Sequence, residues 1–464
     1  MDHQYATAYA LVTKYGQEHL LRFYPQLTPV QQSNLLSQIL ALDFELMARL
    51  YHDLGQGSPA KAVANQITPL LADAWEEFSP QKQTGLFQTG LAAIQAGKVA
   101  AFLVAGGQGT RLGFAGPKGA FDLGLPSHKS LFQLQAERLI NLSRRSGKYI
   151  PWYIMTSPEN HRETVAFFET HHYFGYPQSE LCFFSQDLLP VLDHDGKIML
   201  CAPDRIMLGP NGNGGCFLAL EKSGALADMR YRGVEWIFLY GVDNVLVKVA
   251  DPGFVGYAMG SGLAAASKVV SKIHPEEKTG VLCYLDHRPA ILEYSELPPE
   301  LAHQTTPDGK LAFRNANIVS HLLRRDFLEA NAPYFTQLPY HLAHKKMPTL
   351  DAAGNLKIPS APNAYKFELF IFDIFPLLPD MAALLVDRDA EFAPVKNDSG
   401  PDSPATAREL LLNLHRDWLL NAGVPPEMLN GRTVEISPLT SYGGESLELK
   451  TIIPLLTAGK EVVI

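Results

Sequence analysis

The residues Gly106-Gly107-Gln108-Gly109-Thr110-Arg111-Leu112-Gly113 stand directly after the apolar run Val99-Ala100-Ala101-Phe102-Leu103-Val104-Ala105 and shortly before Pro117-Lys118-Gly119. A short apolar run that collides with glycines reads as a buried strand entering a tight loop. Glycines lack the Cβ atoms that keep a backbone away from a phosphate, so successive N–H groups can converge on one anion. Arg111 and Lys118 add full positive charges that stabilise a phosphoryl group as charge builds during transfer. Two familiar loops are excluded by spacing. A Walker loop needs Ser or Thr after its lysine, and Gly119 follows Lys118; a dinucleotide fingerprint needs G-x-G-x-x-G, and Gly107, Gly109 and Gly113 are one residue too widely spaced. A lone glycine pair would be an ordinary strand-to-helix turn, whereas glycines in this number, with Arg111 and Lys118, read as a phosphate site.

That site must be local. The chain carries 39 basic and 48 acidic residues, a net charge of -9 and the wrong sign for a nucleic-acid partner. With 464 residues, 46% of them hydrophobic, it can bury a large core divided over two or three structural units. No apolar run approaches membrane-spanning length, and the N-terminal segment has no uninterrupted apolar stretch ending in a small-residue cleavage site, so the expectation is a cytoplasmic protein without a membrane partner. Cys182, Cys201, Cys216 and Cys283 show no C-x-x-C spacing, which leaves buried thiols as the reading rather than a zinc site or disulfides.

Along the chain, residues 1–95 read as helical. Thr28-Pro29-Val30-Gln31 is a capping box with proline at the first helical position, followed by Leu35, Ile39, Leu42 and Leu46 at helical spacing. From Lys98 the pattern becomes α/β: a helical stretch from Ser130 to Arg145, apolar runs at Trp152–Met155 and Trp236–Val242, and a helix bracketed by Asp402-Ser403-Pro404 and Gly423. Asp243 ends the second of these runs, which places a carboxylate at the carboxyl edge of a strand, where open α/β sheets bind ligands. A cap beside Asn244 explains it equally well from local sequence. Asp251, before Pro252, reads as a turn residue and His171-His172 as loop structure.

The segment LVAGGQGTRLGFAGPKGAFDLGLPSHKSLFQLQAERL is similar to the eukaryotic-type UDP-N-acetylhexosamine pyrophosphorylases of the wider UDP-sugar pyrophosphorylase family. Further similar blocks follow in order: FFETHHYFGYP, NGNGG, YGVDNVLVKVADP, GVLCYLDHRPAILEYSE, NANIVSHLL, YKFELFIFDIF and SPLTSYGGESLE. The resemblance implies an α/β Rossmann-like nucleotidyltransferase core with a mixed sheet at 96–390, after the N-terminal helical region (1–95) and before a small C-terminal lid domain at 391–464. It also implies the reaction of UTP with N-acetylglucosamine 1-phosphate to UDP-N-acetylglucosamine and pyrophosphate, assisted by Mg2+ or Mn2+.

Carried over by position, Ala105, Gly106 and Gly107 would lie against the nucleotide, while Gln186 and Gly212 would read uracil. Arg111 and Lys118 would hold the phosphates as the catalytic pair. Asn213, Glu293 and Asn317 would face the sugar, Lys366 and Lys396 the product phosphates, and Asp243 the metal ion. The chain departs from the family pattern at Ser185, where a second glutamine is usual, and at Asp187, where a glycine is usual. Without the resemblance, Gly212-Asn213-Gly214-Gly215 is a turn with positive φ angles, Glu293 an exposed strand residue, Asn317 a turn former, and Lys366 and Lys396 are solvated lysines. A UDP-glucose or broad UDP-sugar pyrophosphorylase is the alternative within this chemistry, and NGNGG argues against it because UDP-glucose enzymes tend to carry a histidine near the position of Asn213. A catalytically silent sugar-nucleotide sensor is the alternative of another class, and Arg111, Lys118 and Asp243 together argue against that.

Overall fold

The apolar run before the glycine loop forms a strand, β1 (Val99–Val104), buried in every residue but its last. It belongs to a computed structural model that describes residues 3–54 and 66–464; residues 1–2 and 55–65 of the expected helical region lie outside the described residues. The chain folds into two units, each assembled from three separate stretches. One takes the described part of Met1–Ala64 with Gln186–Gly215 and Thr336–Asp373, the other Asn65–Ser185, Cys216–Phe335 and Ile374–Ile464.

In the larger unit, α1 (Leu131–Ser146) starts where Ser130 accepts a hydrogen bond from Gln133 N and stops at Gly147, which takes the left-handed conformation. β2 (Trp152–Thr156), β3 (Leu181–Ser185) and β4 (Trp236–Gly241) follow, then α2 (Pro252–Ser261), β5 (Ala265–Ser271), β6 (Asn315–Arg324), β7 (Ala382–Leu385) and α3 (Pro404–Asn421). Across the main sheet the order is Asp73–Ala74, β7, β5, β6, β4, β1, β2, β3. β4, β1, β2 and β3 run parallel. β6 is antiparallel to both β4 and β5, which makes the sheet mixed. The parallel strands read as continuous apolar runs because helices cover both faces; Phe102, Trp152, Ile154, Phe238 and Tyr240 are almost wholly buried.

The smaller unit packs the helices His3–Lys14, Pro29–Leu40 and Phe44–Leu54 against short sheets formed by its two later stretches. The capping box at Thr28 is formed as read, with Gln31 and Thr28 bonding reciprocally. Val12, Leu36, Ile39 and Met47 share a core with Leu192, Ile198, Ile206 and Phe367.

Candidate active site

β1 and β4 end together: Gly241 lies beside Val104, so the glycine loop and Asp243 emerge from the same edge. β1 continues through α1 to β2 on one side while β4 lies on its other, the switch point at which open α/β sheets place ligands. Within the loop Gly109 N donates to Gly116 O at 2.9 Å and Lys118 N to Gly107 O at 3.1 Å. Asn160, wholly buried just after β2, donates from Nδ2 to Ala105 O at 2.9 Å and Gly107 O at 3.1 Å. Its Oδ1 accepts from Ser157 N and Oγ at 2.9 and 3.1 Å, which fixes the amide's orientation. In a trans peptide N–H points opposite C=O, so the N–H groups of Gly106 and Gln108 are turned away from Asn160. Nothing in the local sequence Ser157-Pro158-Glu159-Asn160 distinguishes this residue from a turn former, and sequence reasoning missed it.

The φ of Gly107 is not in the left-handed region, and a Cβ there would meet no heavy atom within 4 Å. Neither the backbone conformation nor the chain's own packing requires glycine at this exposed position.

Lys118 Nζ stands 3.5 Å from Asp243 Oδ2, with the side chains 16% and 32% exposed. Arg111 is exposed and forms no ion pair with another described residue. Asp243 O accepts from Val395 N at 2.9 Å, which brings Lys396 to the same edge, where its Nζ lies 3.8 Å from Asp402 Oδ2. Asn244 fastens this segment, donating to Glu391 O at 2.7 Å and accepting from Ala393 N at 2.9 Å. Beneath it Lys268, 1% exposed, pairs with Asp251 and Glu391 at 2.6 and 2.9 Å. Burial alone would lower the Lys268 pKa, but the two carboxylates hold it above its ordinary value; burial would raise Asp251, and Lys268 and Lys248 hold it below. Asp251 also caps α2 through Gly253 N at 2.9 Å, more than the turn expected of it.

Beside Asp243, β6 carries an irregularity. Val319 has φ 52, a conformation that a β-branched residue rarely adopts, and its N–H is held by Asn317 Oδ1 at 2.9 Å. Opposite, the register of β5 shifts between Ser267 and Val269. Asn317 N donates to Gly280 O at 2.9 Å, and Glu293 Oε1 lies 3.3 Å from where a Gly280 Cβ would be. Asn317 and Glu293 thus both lie next to Gly280.

The remaining expected residues gather in the smaller unit. Leu188–Pro190 pairs with Leu208–Pro210, with the buried Gln186 just before the first strand and Gly212 and Asn213 just after the second. Gly212 and Gly214 pack against Leu369 and Phe370 so closely that a Cβ at either would approach backbone atoms to 2.3–2.4 Å. Gly214 therefore answers to packing, and Gly212 both to packing and to its backbone, which has φ 85. Asn213 Oδ1 accepts from Ile371 N at 3.0 Å, leaving its Nδ2 as the group free of that contact. Lys366 Nζ lies 3.3 Å from Glu368 Oε1 and beside Gly209.

An open mixed α/β sheet with a bare glycine backbone, two cations and a carboxylate at its carboxyl edge defines the Rossmann-like nucleotidyltransferase class. The profile of the UTP–glucose-1-phosphate uridylyltransferase family matches residues 49–449. UDP-N-acetylhexosamine pyrophosphorylase-like protein 1 of Homo sapiens is 39% identical over 95% of this chain and 93% of its own. UDP-N-acetylglucosamine pyrophosphorylase of Saccharomyces cerevisiae is 39% identical over 93% of this chain and 94% of its own. The crystal structure of the uridine diphosphate N-acetylglucosamine pyrophosphorylase of Trypanosoma brucei superposes with a TM-score of 0.83 at 30% identity, covering 100% of this chain and 98% of that one. The chain belongs to this uridylyltransferase family and, within it, to the UDP-N-acetylhexosamine pyrophosphorylases.

Proposed function

We propose that this chain transfers the uridylyl group of UTP to N-acetylglucosamine 1-phosphate, forming UDP-N-acetylglucosamine and pyrophosphate. The observation that carries the reading is the Lys118–Asp243 pair beside the open Gly106-Gly107 backbone, in a chain 39% identical over 93% of its length to an enzyme of that name. A phosphate oxygen of the sugar phosphate attacks the α-phosphorus; that P–O bond forms as the bond to the β-phosphate breaks, and pyrophosphate leaves with the electron pair. Every participant is an anion, so neutralisation and positioning dominate and no covalent enzyme intermediate is needed.

Lys118 and Arg111 supply charge to the transferring phosphate, and Ala105, Gly106 and Gly107 lie against the nucleotide. Gln186 and Gly212 read uracil. Asn213 donates to the sugar, with Glu293 and Asn317 as its other partners, and Lys366 and Lys396 meet the product phosphates. Asp243 suits a Mg2+ or Mn2+ ion, since its one-third-exposed carboxylate faces only Lys118 at 3.5 Å and such ions take one or two protein carboxylates plus phosphate oxygens. No group of three or more His, Cys, Asp or Glu suited to a metal exists among the described residues, consistent with an ion held largely by substrate. A bound divalent ion would draw charge from the phosphate oxygens. Residues 391–464 would act as the lid. No helix among the described residues is long and apolar enough to cross a membrane, and the cytoplasm is the compartment we assign.

A pyrophosphate-release assay with N-acetylglucosamine, N-acetylgalactosamine and glucose 1-phosphates tests the reading. Turnover of the N-acetylated sugars supports it, and turnover of glucose 1-phosphate alone overturns it. Selectivity between the two acetylated sugars turns on one hydroxyl, and the same panel measures it.

A further inference from the structure

In the smaller unit, two histidines 150 positions apart in sequence share a hydrogen bond, His194 Nε2 and His344 Nε2 lying 2.8 Å apart, and both side chains are exposed. We propose that they form a binding site for one divalent transition-metal ion of the zinc, nickel or copper type.

Each backbone position is fixed. His194 lies in the turn Asp193-His194-Asp195-Gly196, closed by Gly196 N donating to Asp193 O at 3.1 Å. Asp193 Oδ1 braces the turn by accepting from Asp195 N at 2.9 Å and Lys197 N at 2.8 Å, and Tyr51 OH holds His194 O at 2.9 Å. His344 lies in the strand His341–Lys345 and pairs with Tyr365 of the strand Ala364–Glu368. Leu192–Asp193 pairs with the other edge of that strand, so the two histidines straddle Tyr365. The Tyr365 ring lies 5.3 Å from the His194 ring and 5.2 Å from the His344 ring, backing both.

This spacing suits a metal ion. Two imidazole nitrogens bound at about 2.0–2.1 Å to one ion, at right to tetrahedral angles, are about 2.9–3.4 Å apart, so a shift of a few tenths of an ångström converts the pair into a chelate. In the hydrogen bond one Nε2 carries the proton; a metal ion takes its place once that ring carries its proton on Nδ1 instead, so that both Nε2 lone pairs bind the ion and water fills the other positions. Imidazole selects zinc, nickel or copper, whereas magnesium requires oxygen ligands. This site is therefore chemically distinct from Asp243. An ion there ties the turn at 193–196 to the strand His341–Lys345, across the strand that carries Lys366, and closes a long loop.

Titration of the intact protein with zinc chloride, followed by calorimetry and by melting temperature, tests the site. One equivalent should bind and raise the melting temperature, and magnesium chloride should not reproduce the effect. His194→Gln and His344→Gln should each weaken zinc binding at least ~10-fold and remove the thermal shift, with turnover in Mg2+ unchanged. Electron paramagnetic resonance of bound Cu2+ should report two imidazole nitrogens in the parent and one in each variant. Zinc binding that is absent in the parent, or equally strong in both variants, overturns the proposal, as does a copper spectrum that the substitutions leave unaltered. None of these readouts depends on uridylyl transfer.

Discussion

Lys118 stands 3.5 Å from Asp243, and Arg111 stands without an ion pair among the described residues. On the proposed roles of both cations, Lys118→Ala or Arg111→Ala should each lower kcat by about 10²-fold or more. Steady-state kinetics with unchanged denaturation midpoints would check this, and near-normal turnover in both variants would count against the assigned roles. Asn160→Ala should cost about 10-fold to 100-fold in kcat/KM, because a misplaced glycine backbone loses its aim, and kinetics of the purified variant decide it. The two cases differ in legibility. The glycine loop with Arg111 and Lys118 reads as a phosphate site, because charge and missing side chains next to an apolar run are chemical signals in one dimension, whereas local sequence alone leaves Asp243 equally a cap. Asn160 acts through carbonyls 53 and 55 positions away, and no local pattern encodes that partner. Asn213 was half legible: its loop could be read, but its bond to Ile371 N depends on a distant strand.

At the scale of elements, β1, β2, β4, α1 and α3 lie where apolar runs, caps and glycine stops put them. β6 did not announce itself: the bulge at Val319 and the antiparallel insertion between β4 and β5 are set by neighbours rather than by its own alternation. Residues 391–464, expected as a lid, bond to α1 and to the segment just before it. Ser127 Oγ donates to Glu435 Oε1 at 2.6 Å, Asn141 Nδ2 to Pro438 O at 2.9 Å, and Arg145 pairs with Glu445 at 2.8 Å. Glu137, 5% exposed, takes Lys129 Nζ at 2.7 Å and Ser437 Oγ at 3.1 Å. Glu137→Ala strands Lys129 and should destabilise the protein by about 3 kcal/mol, readable in the urea midpoint. Two buried histidines add a pH dependence. Burial lowers His321 of β6 and His415 of α3 to about 3. The unfolded chain therefore takes these protons first, as pH falls below about 6.5. Their stabilisation is complete above that pH and declines below it, by up to about 1.4 kcal/mol per pH unit for each ring, until pH reaches the folded values. Urea titrations at pH 7.5, 6 and 5 should show this decline, and His415→Gln should lessen it.

For the whole molecule, the division into units escaped the sequence because the chain passes between them more than once, and neither composition nor linkers mark the later crossings, at 185–186, 215–216, 335–336 and 373–374, that follow the one at 64–65. Removing residues 1–64 would retain every candidate site residue yet strip the cover from Leu192, Ile198, Ile206 and Phe367. Such a chain should aggregate or melt at least about 10 °C lower, and an unaltered melting temperature would contradict the shared core. That same core imposes an order on synthesis. The helix that buries Val12 leaves the ribosome long before Phe367 exists, and at about 5–20 residues per second the delay is tens of seconds. Throughout that interval the amphipathic N-terminal helices lack part of the native cover of their apolar faces. The newborn chain is then exposed to mispairing and chaperone capture, and its first segment is among the last to reach its final environment.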